Sequence, residues 1–155
     1  MAIDPFPWRE DIADDAAMRA LGARLAKRLE YGNENVLVVR LEGPLGAGKT
    51  TLTRGLLRAL GHEGPVRSPT YTLIEPYELP RENGVLRVAH LDLYRLSDPE
   101  ELEFIGLRDW LSEPGLLLVE WPDRAGDALP SEGVRVRIEY QGAGRAVEIV
   151  EQQKK

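Results

Sequence analysis

Cysteine is absent from all 155 residues. A disulfide scaffold and a thiolate metal site are therefore excluded, and the absence is in keeping with a reducing compartment. The first 28 residues contain no long apolar run and carry acids at Asp4, Glu10, Asp11, Asp14 and Asp15. They resemble neither a signal peptide nor a membrane span, so we expect a cytoplasmic location without membrane association.

A basic surface is also lacking, because 26 acidic residues outnumber 20 lysines and arginines and leave a net charge of −6. The basic residues are scattered along the chain, and the only terminal cluster is Lys154-Lys155. Binding to a nucleic-acid backbone normally uses an extended basic surface. We therefore expect no strong direct nucleic-acid binding, and any role in an RNA pathway would run through a protein partner.

Repeats and low-complexity tracts are absent as well. A length of 155 residues with 43% hydrophobic content suits one soluble globular domain. We predict a single domain over residues 1–155, with loosely ordered ends at 1–13 and 151–155.

A glycine loop is the most informative feature that is present. Residues 43–50 read Gly-Pro-Leu-Gly-Ala-Gly-Lys-Thr and match the phosphate-binding pattern of glycine, four residues, then Gly-Lys-Ser/Thr. The apolar, β-branched segment 36–42 before the loop predicts a buried strand. After the loop, leucines at 52, 56, 57 and 60 have helical spacing. Strand, loop and helix therefore follow one another in the order that phosphate binding requires.

The chemistry of such a loop depends on its residue types. Glycines let the backbone turn so that N–H groups point inward at phosphate oxygens, and the helix N-terminus adds a partial positive charge. Lys49 can reach the β- and γ-phosphates, and the Thr50 hydroxyl can ligate Mg²⁺. A plain glycine-rich turn would explain the glycines but not Lys49-Thr50 beside them. The sequence therefore predicts binding of a nucleoside triphosphate.

Apolar periodicity predicts the remaining elements of the fold. A helix capped by Asp14 or Asp15 runs to about Leu29. Further strands, the last two forming a C-terminal hairpin, are predicted at 86–93, 116–120 and 134–150. Together these elements predict an α/β fold of the three-layer P-loop NTPase type, with a largely parallel central sheet, an antiparallel edge and a C-terminal hairpin.

A run of four apolar residues followed by an acid, at 116–120, has the form of a Walker B strand. In a buried parallel strand, Glu120 would lie at the carboxyl edge of the sheet, beside the glycine loop. Apolar strands also end in solvated acids, but the glycine loop favours a role for Glu120 in binding metal or water.

Asp92 is a second candidate acid. Alternation along its strand places His90, Asp92 and Tyr94 on one face. From the pattern, a catalytic acid and an edge strand with a wet polar face are equal alternatives. Residues 68–72 supply hydroxyl groups where a switch loop would follow the loop helix, although a plain Ser-Pro turn explains that segment better on pattern alone.

Five segments together resemble a known family of bacterial proteins. In this order and at this spacing they resemble the ATPase subunit family of the tRNA threonylcarbamoyladenosine biosynthesis machinery, called TsaE or YjeE. The resemblance covers about residues 15–150 and shows no departure within the motifs. The segments that carry it are 43–51, 68–73, 90–96, 101–106 and 119–122.

The resemblance implies a small Mg-dependent P-loop ATPase with ATP and Mg²⁺ as cofactors. It also implies a partner, the synthase complex that installs threonylcarbamoyl on adenosine 37 of ANN-decoding tRNAs. Hydrolysis would reset that complex between turnovers, slowly when the protein is alone and faster with the partner.

The resemblance further implies roles for particular residues. Thr50 ligates Mg²⁺, and Glu120 supports the metal or its water. Asp92 belongs to the catalytic centre with Lys49, and Thr70 resembles the family's γ-phosphate-facing switch residue. Which acid orients the attacking water stays open. The residues that would bind the nucleotide are Gly43, Gly46, Ala47, Gly48, Lys49, Thr50 and Thr51 around the phosphates, and Asp15, Gly144 and Arg145 on the base side.

A small-molecule P-loop kinase is the main alternative, because such kinases share this loop and this size. They need an acceptor pocket and usually a lid with several arginines, whereas residues 97–111 hold only Arg108. A GTPase is disfavoured because no Asn-Lys-x-Asp element for guanine is present. A nucleotide-gated binding module with vestigial hydrolysis is the third alternative.

Overall fold

The computed structural model describes residues 6–30 and 34–153, which form helices packed on a single sheet. The helices are α1 (Asp15–Arg28), α2 (Lys49–Ala59), α3 (Glu101–Phe104) and α4 (Leu107–Ser112), with a 3₁₀ segment at Pro122–Ala128. The strands are β1 (Trp8–Ile12), β2 (Val36–Glu42), β3 (Ile74–Arg81), β4 (Gly84–Asp92), β5 (Gly115–Glu120), β6 (Gly133–Gln141) and β7 (Gly144–Gln152).

The sheet has seven strands in the order β1-β7-β6-β2-β5-β4-β3. Its centre is parallel, since β2 pairs in parallel with β5 and β6, and β5 pairs in parallel with β4. The pairs β3-β4, β6-β7 and β1-β7 are antiparallel. The predicted antiparallel edge and C-terminal hairpin are both present, so antiparallel pairing lies on both sides of the parallel centre. At the β3 edge the cause is the two-residue turn at 82–83, because so short a connection can join only antiparallel strands.

The N-terminal segment belongs to the sheet. β1 pairs with β7 from Trp8 opposite Ile149 to Ile12 opposite Arg145. The expectation of loosely ordered ends at 1–13 and 151–155 is therefore corrected for residues 8–12 and for 151–152, which lie in β1 and β7. The reason is burial, because Trp8 and Ile12 at the two ends of β1 both enter the core. Residues 1–5 and the cluster Lys154-Lys155 lie outside the described residues.

The core occupies both faces of the sheet. Val39 and Leu41 of β2 pack in one apolar cluster with leucines of α1 and α2. Val38 packs in a second cluster with Leu102 of α3 and Leu107 of α4. Because successive side chains of a strand point to opposite faces, the sheet lies between two helical layers.

Helices α1 and α2 approach each other closely at two glycines. A Cβ atom on Gly22 would lie 2.1 Å from the carbonyl oxygen of Leu52. A Cβ atom on Gly55 would lie 2.0 Å from the carbonyl oxygen of Arg19. Both distances are far below a van der Waals contact, so only glycine permits this backbone-to-backbone packing.

The ends of the two long helices agree closely with the sequence patterns. α1 is capped by Asp14, whose carboxylate accepts a hydrogen bond of 2.8 Å from the N–H of Ala17, and it ends at Arg28. α2 begins at Lys49, directly after the glycine loop. None of the helices within residues 6–30 and 34–153 has the length and apolar composition needed to cross a membrane.

Candidate functional site

The glycine loop connects β2 to α2 through two left-handed residues. Gly46 has φ = 77° and Gly48 has φ = 115°, conformations that a residue with a Cβ atom rarely adopts. Gly48 is the N-cap of α2, so no side chain caps the first amides of this helix. The first turn of α2 also lacks an acidic residue. The loop therefore presents an uncapped helix N-terminus, which is suited to an anionic group.

Lys49 lies folded against the loop that precedes it. Its Nζ donates hydrogen bonds to the carbonyl oxygen of Gly43 and, at 3.3 Å, to that of Pro44. The same atom lies 4.0 Å from the centroid of the Trp121 ring. Burial lowers the pKa of Lys49, while Glu120 and Asp92 act in the opposite direction. A buried positive charge is thus held directly beside the phosphate-binding pattern.

Glu120 joins the loop helix to the centre of the sheet. Its Oε2 accepts a hydrogen bond of 3.0 Å from the Thr50 hydroxyl. The same oxygen lies 2.6 Å from Nε2 of His90, which is fully buried and whose Nδ1 has no hydrogen-bond partner. A threonine hydroxyl and a carboxylate are oxygen ligands of the kind that Mg²⁺ prefers.

A complete protein cage for a metal is not formed. Among residues 6–30 and 34–153, no group of three or more His, Cys, Asp or Glu side chains is placed to hold a metal ion. The oxygens of Thr50 and Glu120 fit a Mg²⁺ ion that takes its other ligands from phosphates and water, as this ion commonly does.

Asp92 lies at the carboxyl end of β4, opposite Glu120 of β5 in the parallel pair. β4 is an interior strand between β3 and β5, so the alternative of an edge strand with a wet face is wrong. Asp92 is only 7% exposed, and its Oδ1 accepts a hydrogen bond of 3.0 Å from the N–H of Tyr94. Burial raises the pKa of Asp92, and the neighbouring Glu120 raises it further, against the hydrogen bond from Tyr94 and the charge of Lys49.

The switch-like segment is tied to the strand that carries Asp92. The Ser68 and Thr70 hydroxyl oxygens lie 2.7 Å apart. Leu73, in a left-handed conformation with φ = 68°, donates its N–H to the carbonyl oxygen of Pro69. The carbonyl oxygen of Leu73 accepts a hydrogen bond of 3.0 Å from the N–H of Asp92. The segment is therefore positioned by the same strand end that positions the acid.

These elements surround a cleft of about 480 Å³ at the carboxyl end of the parallel strands. The structure brings ten of the predicted site residues to its lining. Leu45, Ser68, Tyr94, Arg95 and Trp121 line it as well. The ten predicted residues are Asp15, Gly46, Ala47, Gly48, Lys49, Thr50, Thr51, Thr70, Asp92 and Glu120.

Three predicted residues do not line the cleft. Gly43, the first residue of the loop, supplies a carbonyl oxygen to Lys49. Gly144 packs against β1, where a Cβ atom would lie 2.5 Å from the carbonyl oxygen of Ile12. The guanidinium of Arg145 binds carbonyl oxygens of the glycine loop, and its side chain is not part of the lining.

Trp121 is a residue to which the sequence patterns assigned no role. It follows Glu120 in a left-handed conformation with φ = 57°, and its ring lies 4.9 Å from that of Tyr94. Its contact with Lys49 places an aromatic face against the positive charge of the loop. The position of Trp121 in the sequence could have indicated this role. A residue directly after the acid at the carboxyl end of a buried parallel strand lies beside the glycine loop.

The glycine loop lies between a buried parallel strand and a helix, and acids from neighbouring strands face it. This arrangement places the chain in the class of α/β proteins with a phosphate-binding loop pattern. The model of the family described as "Threonylcarbamoyl adenosine biosynthesis protein TsaE" matches residues 12–147. The chain belongs to the TsaE family, and the resemblance drawn from the five sequence segments is confirmed.

Individual relatives agree with this assignment. The chain is 43% identical over 142 residues to the tRNA threonylcarbamoyladenosine biosynthesis protein TsaE of Haemophilus influenzae, covering 91% of this chain and 87% of that protein. It is 38% identical over 125 residues to the protein of the same name from Mycobacterium leprae, covering 77% and 74%. The crystal structure of Bacillus subtilis YdiB superposes with a TM-score of 0.72 at 27% identity, covering 99% of this chain and 89% of that one.

Proposed function

We propose that the protein is a Mg-dependent ATPase of the P-loop NTPase class that serves tRNA threonylcarbamoyladenosine biosynthesis through a partner protein complex. The observation that carries the ATPase proposal is the convergence of Lys49, Thr50, Asp92 and Glu120 on one glycine-loop cleft. A buried lysine, a bonded threonine–carboxylate pair and an uncapped helix N-terminus together fit a triphosphate with its metal better than they fit a neutral ligand.

Each group has a role in this proposal. The loop amides and Lys49 hold the phosphates and neutralise the charge that develops on them. Thr50 and Glu120 would hold Mg²⁺ or its water, and the metal would supply positive charge to the phosphate oxygens. Because one oxygen of Glu120 is already engaged by Thr50 and His90, we assign orientation of the attacking water to Asp92.

Phosphate release tests the ATPase proposal. We expect release from ATP that requires Mg²⁺, that is slow with the protein alone and that is faster when the threonylcarbamoyl synthase complex is added. Calorimetry would give the affinity for ATP in the same buffer. A protein that does not bind ATP would contradict the proposal, and release that requires a small-molecule phosphate acceptor would favour a kinase.

The pathway assignment is supported by the names of the relatives and by the family model. The net charge of −6 supports docking on protein over direct binding to tRNA. We expect a mobility-shift titration with tRNA alone to show no tight binding at physiological salt. We also expect depletion of the protein to lower the threonylcarbamoyladenosine content of cellular tRNA. An unchanged threonylcarbamoyladenosine content would contradict the pathway assignment but not the proposed ATP site.

A further inference from the structure

We propose that Tyr140 and Arg145 of the C-terminal hairpin are positioning residues that hold the glycine loop in its nucleotide-binding conformation. They bind successive carbonyl groups of the loop, and neither side chain is part of the cleft lining. The proposal rests on the proposed ATP site and assigns to the hairpin a part in forming it.

Arg145 supplies two of the hydrogen bonds. Its Nε donates to the carbonyl oxygen of Ala47 at 3.0 Å, and its Nη2 donates to that of Gly46 at 3.2 Å. Its Nη1 donates to the carbonyl oxygen of Gly144 in its own strand at 3.0 Å. The planar guanidinium is therefore fixed to β7 on one side and to the loop on the other.

Tyr140 supplies the third hydrogen bond to the loop. Its hydroxyl donates to the carbonyl oxygen of Leu45 at 2.5 Å. Tyr140 and Arg145 are cross-strand partners in the β6-β7 hairpin, and the guanidinium carbon lies 4.4 Å from the centroid of the tyrosine ring. One stacked pair thus holds the carbonyl groups of three consecutive loop residues, 45, 46 and 47.

The orientation of the loop carbonyl groups also determines the orientation of the loop N–H groups. In a trans peptide, the carbonyl of one residue and the N–H of the next point in opposite directions. Holding the carbonyls of residues 45–47 toward the hairpin therefore directs the N–H groups of residues 46–48 away from it. The N–H of Ala47 donates to the carbonyl oxygen of Pro44 within the loop at 3.1 Å. Gly46 and Gly48 line the cleft, so their N–H groups are directed toward the space where phosphate would bind.

The loop needs an external restraint because two of its residues are left-handed glycines. Gly46 and Gly48 have few local preferences that would keep the loop in one conformation. Ordering such a loop at the moment of binding would weaken affinity, whereas a loop that is held in advance avoids that cost. Tyr140 is half-exposed, so its contribution to the hydrophobic core is small.

The test compares nucleotide affinity and loop dynamics in Arg145→Ala and Tyr140→Phe with those of the parent protein. Arg9→Ala is the matched control, because Arg9 is ion-paired with Glu148 of the same β-sheet edge at 2.7 Å and does not contact the loop. ATP affinity is measured by calorimetry, steady-state hydrolysis gives KM and kcat, and amide hydrogen exchange is followed in a peptide covering residues 43–50.

For Arg145→Ala we expect about tenfold weaker ATP binding, a raised KM and a kcat within about twofold of the parent at saturation. Exchange in residues 43–50 should quicken without nucleotide, and Arg145→Lys should restore part of the affinity. Tyr140→Phe should show the same changes to a smaller extent, and Arg9→Ala should show none. Unchanged exchange and affinity in both Arg145→Ala and Tyr140→Phe would overturn the proposal.

The exchange measurement uses the protein without nucleotide, so it reports on the hairpin even if the parent does not bind ATP. In that case the ATPase proposal fails by itself, and quickened exchange would still support the positioning role. If Arg145→Ala does not fold, Arg145→Lys and Tyr140→Phe decide the question by the same two measurements.

Discussion

Helix α2 takes part in two regions of contrasting chemistry. At its middle it meets α1 through Gly55, and the surrounding leucines of both helices are fully buried. At its beginning, Lys49 and Thr50 face acids of β4 and β5. All five buried polar or charged residues in the described parts of the chain line the cleft or form a hydrogen bond with a residue that does; His90 bonds to Glu120, and the Thr53 hydroxyl donates to the carbonyl oxygen of Lys49.

The contrast indicates that different residues determine the stability and the activity of this protein. Apolar packing between α1 and α2 contributes to stability through area removed from water. Buried charges in the cleft oppose folding unless they are paired, and they are kept where a charged ligand would meet them. Substitutions in the first region should therefore change stability, and substitutions in the second should change activity.

The largest effect is expected for Lys49→Ala. Removing this charge should lower the rate of ATP hydrolysis by about 100-fold or more, because the lysine would stabilise charge that develops in the transition state. The fold should persist, since burial already disfavours the charged form of Lys49. Hydrolysis assays and thermal denaturation check both parts. A variant that unfolds, or that turns over ATP like the parent, would remove the contrast between the two regions.

Gly22→Ala and Gly55→Ala should lower the stability of the fold and leave ATP binding unchanged, which is the opposite of the result expected for Lys49→Ala. Each added methyl group would lie about 2 Å from a backbone carbonyl oxygen of the other helix, so α1 and α2 must separate. We expect a loss of about 2 to 3 kcal/mol in the free energy of unfolding, measured by urea denaturation.

Ala20→Gly serves as the control for the glycine variants. Ala20 lies on the exposed side of α1 and its change tests helix propensity alone, at about 1 kcal/mol. ATP affinity of the folded fraction should not change in any of these variants. A gain in stability for Gly22→Ala or Gly55→Ala would show that the helices are free to move apart.

Glu120→Ala and Asp92→Ala should lower hydrolysis more than ATP binding. Both acids lie at strand ends beside Lys49, and their removal relieves repulsion toward the phosphates while water and metal placement is lost. We expect single-turnover rates to fall about tenfold or more, with ATP affinity equal or higher. Equal losses in both measurements would assign structural roles to these acids.

The smallest effect is expected for Asp92→Asn, and it is a change in the free energy of unfolding that depends on pH. Because burial raises the pKa of Asp92, the folded state binds its proton more tightly than the unfolded state does. The contribution of Asp92 to stability therefore falls as pH rises from the ordinary aspartate pKa through the raised one. Asparagine carries no charge and keeps an oxygen for the N–H of Tyr94.

Urea denaturation of the Asp92→Asn variant at several pH values checks this sign. The variant should be more stable than the parent at pH 7, and the difference should shrink in acid, where Asp92 is protonated in both the folded and the unfolded state. A variant that is less stable at pH 7 would indicate that attraction to Lys49 outweighs the burial of Asp92.

Local sequence patterns were sufficient for much of the fold and the candidate site. The glycine loop, the strand before it and the helix after it are defined by neighbouring residues, and so is the Asp14 cap of α1. Alternation placed His90 and Asp92 on one face of their strand, because the period of a strand is a local property. The parallel pairing of β4 with β5 then brings Asp92 opposite Glu120.

Features that depend on pairing between distant segments were missed. β1 contains three charged residues and only two buried apolar ones, and its register is set by β7 at the other end of the chain. The interior position of β4 depends on strand order, which alternation does not report. The hydrogen bonds of Arg145 to the loop carbonyls depend on the placement of the hairpin, whereas its expected position on the base side of the nucleotide stays a prediction.

The pairing of β1 with β7 has a consequence for synthesis of the protein. A chain made from its N-terminus exposes β1 before the other described strands, yet β7, which pairs with it, follows the other six in chain order. Until then, β1 and β6 both lack the neighbour that separates them in the finished sheet, and open strand edges invite pairing with other chains. The glycine loop also precedes β7 in the chain and meets Arg145 only when β7 emerges, so closure of the sheet and the proposed ordering of the loop both depend on β7.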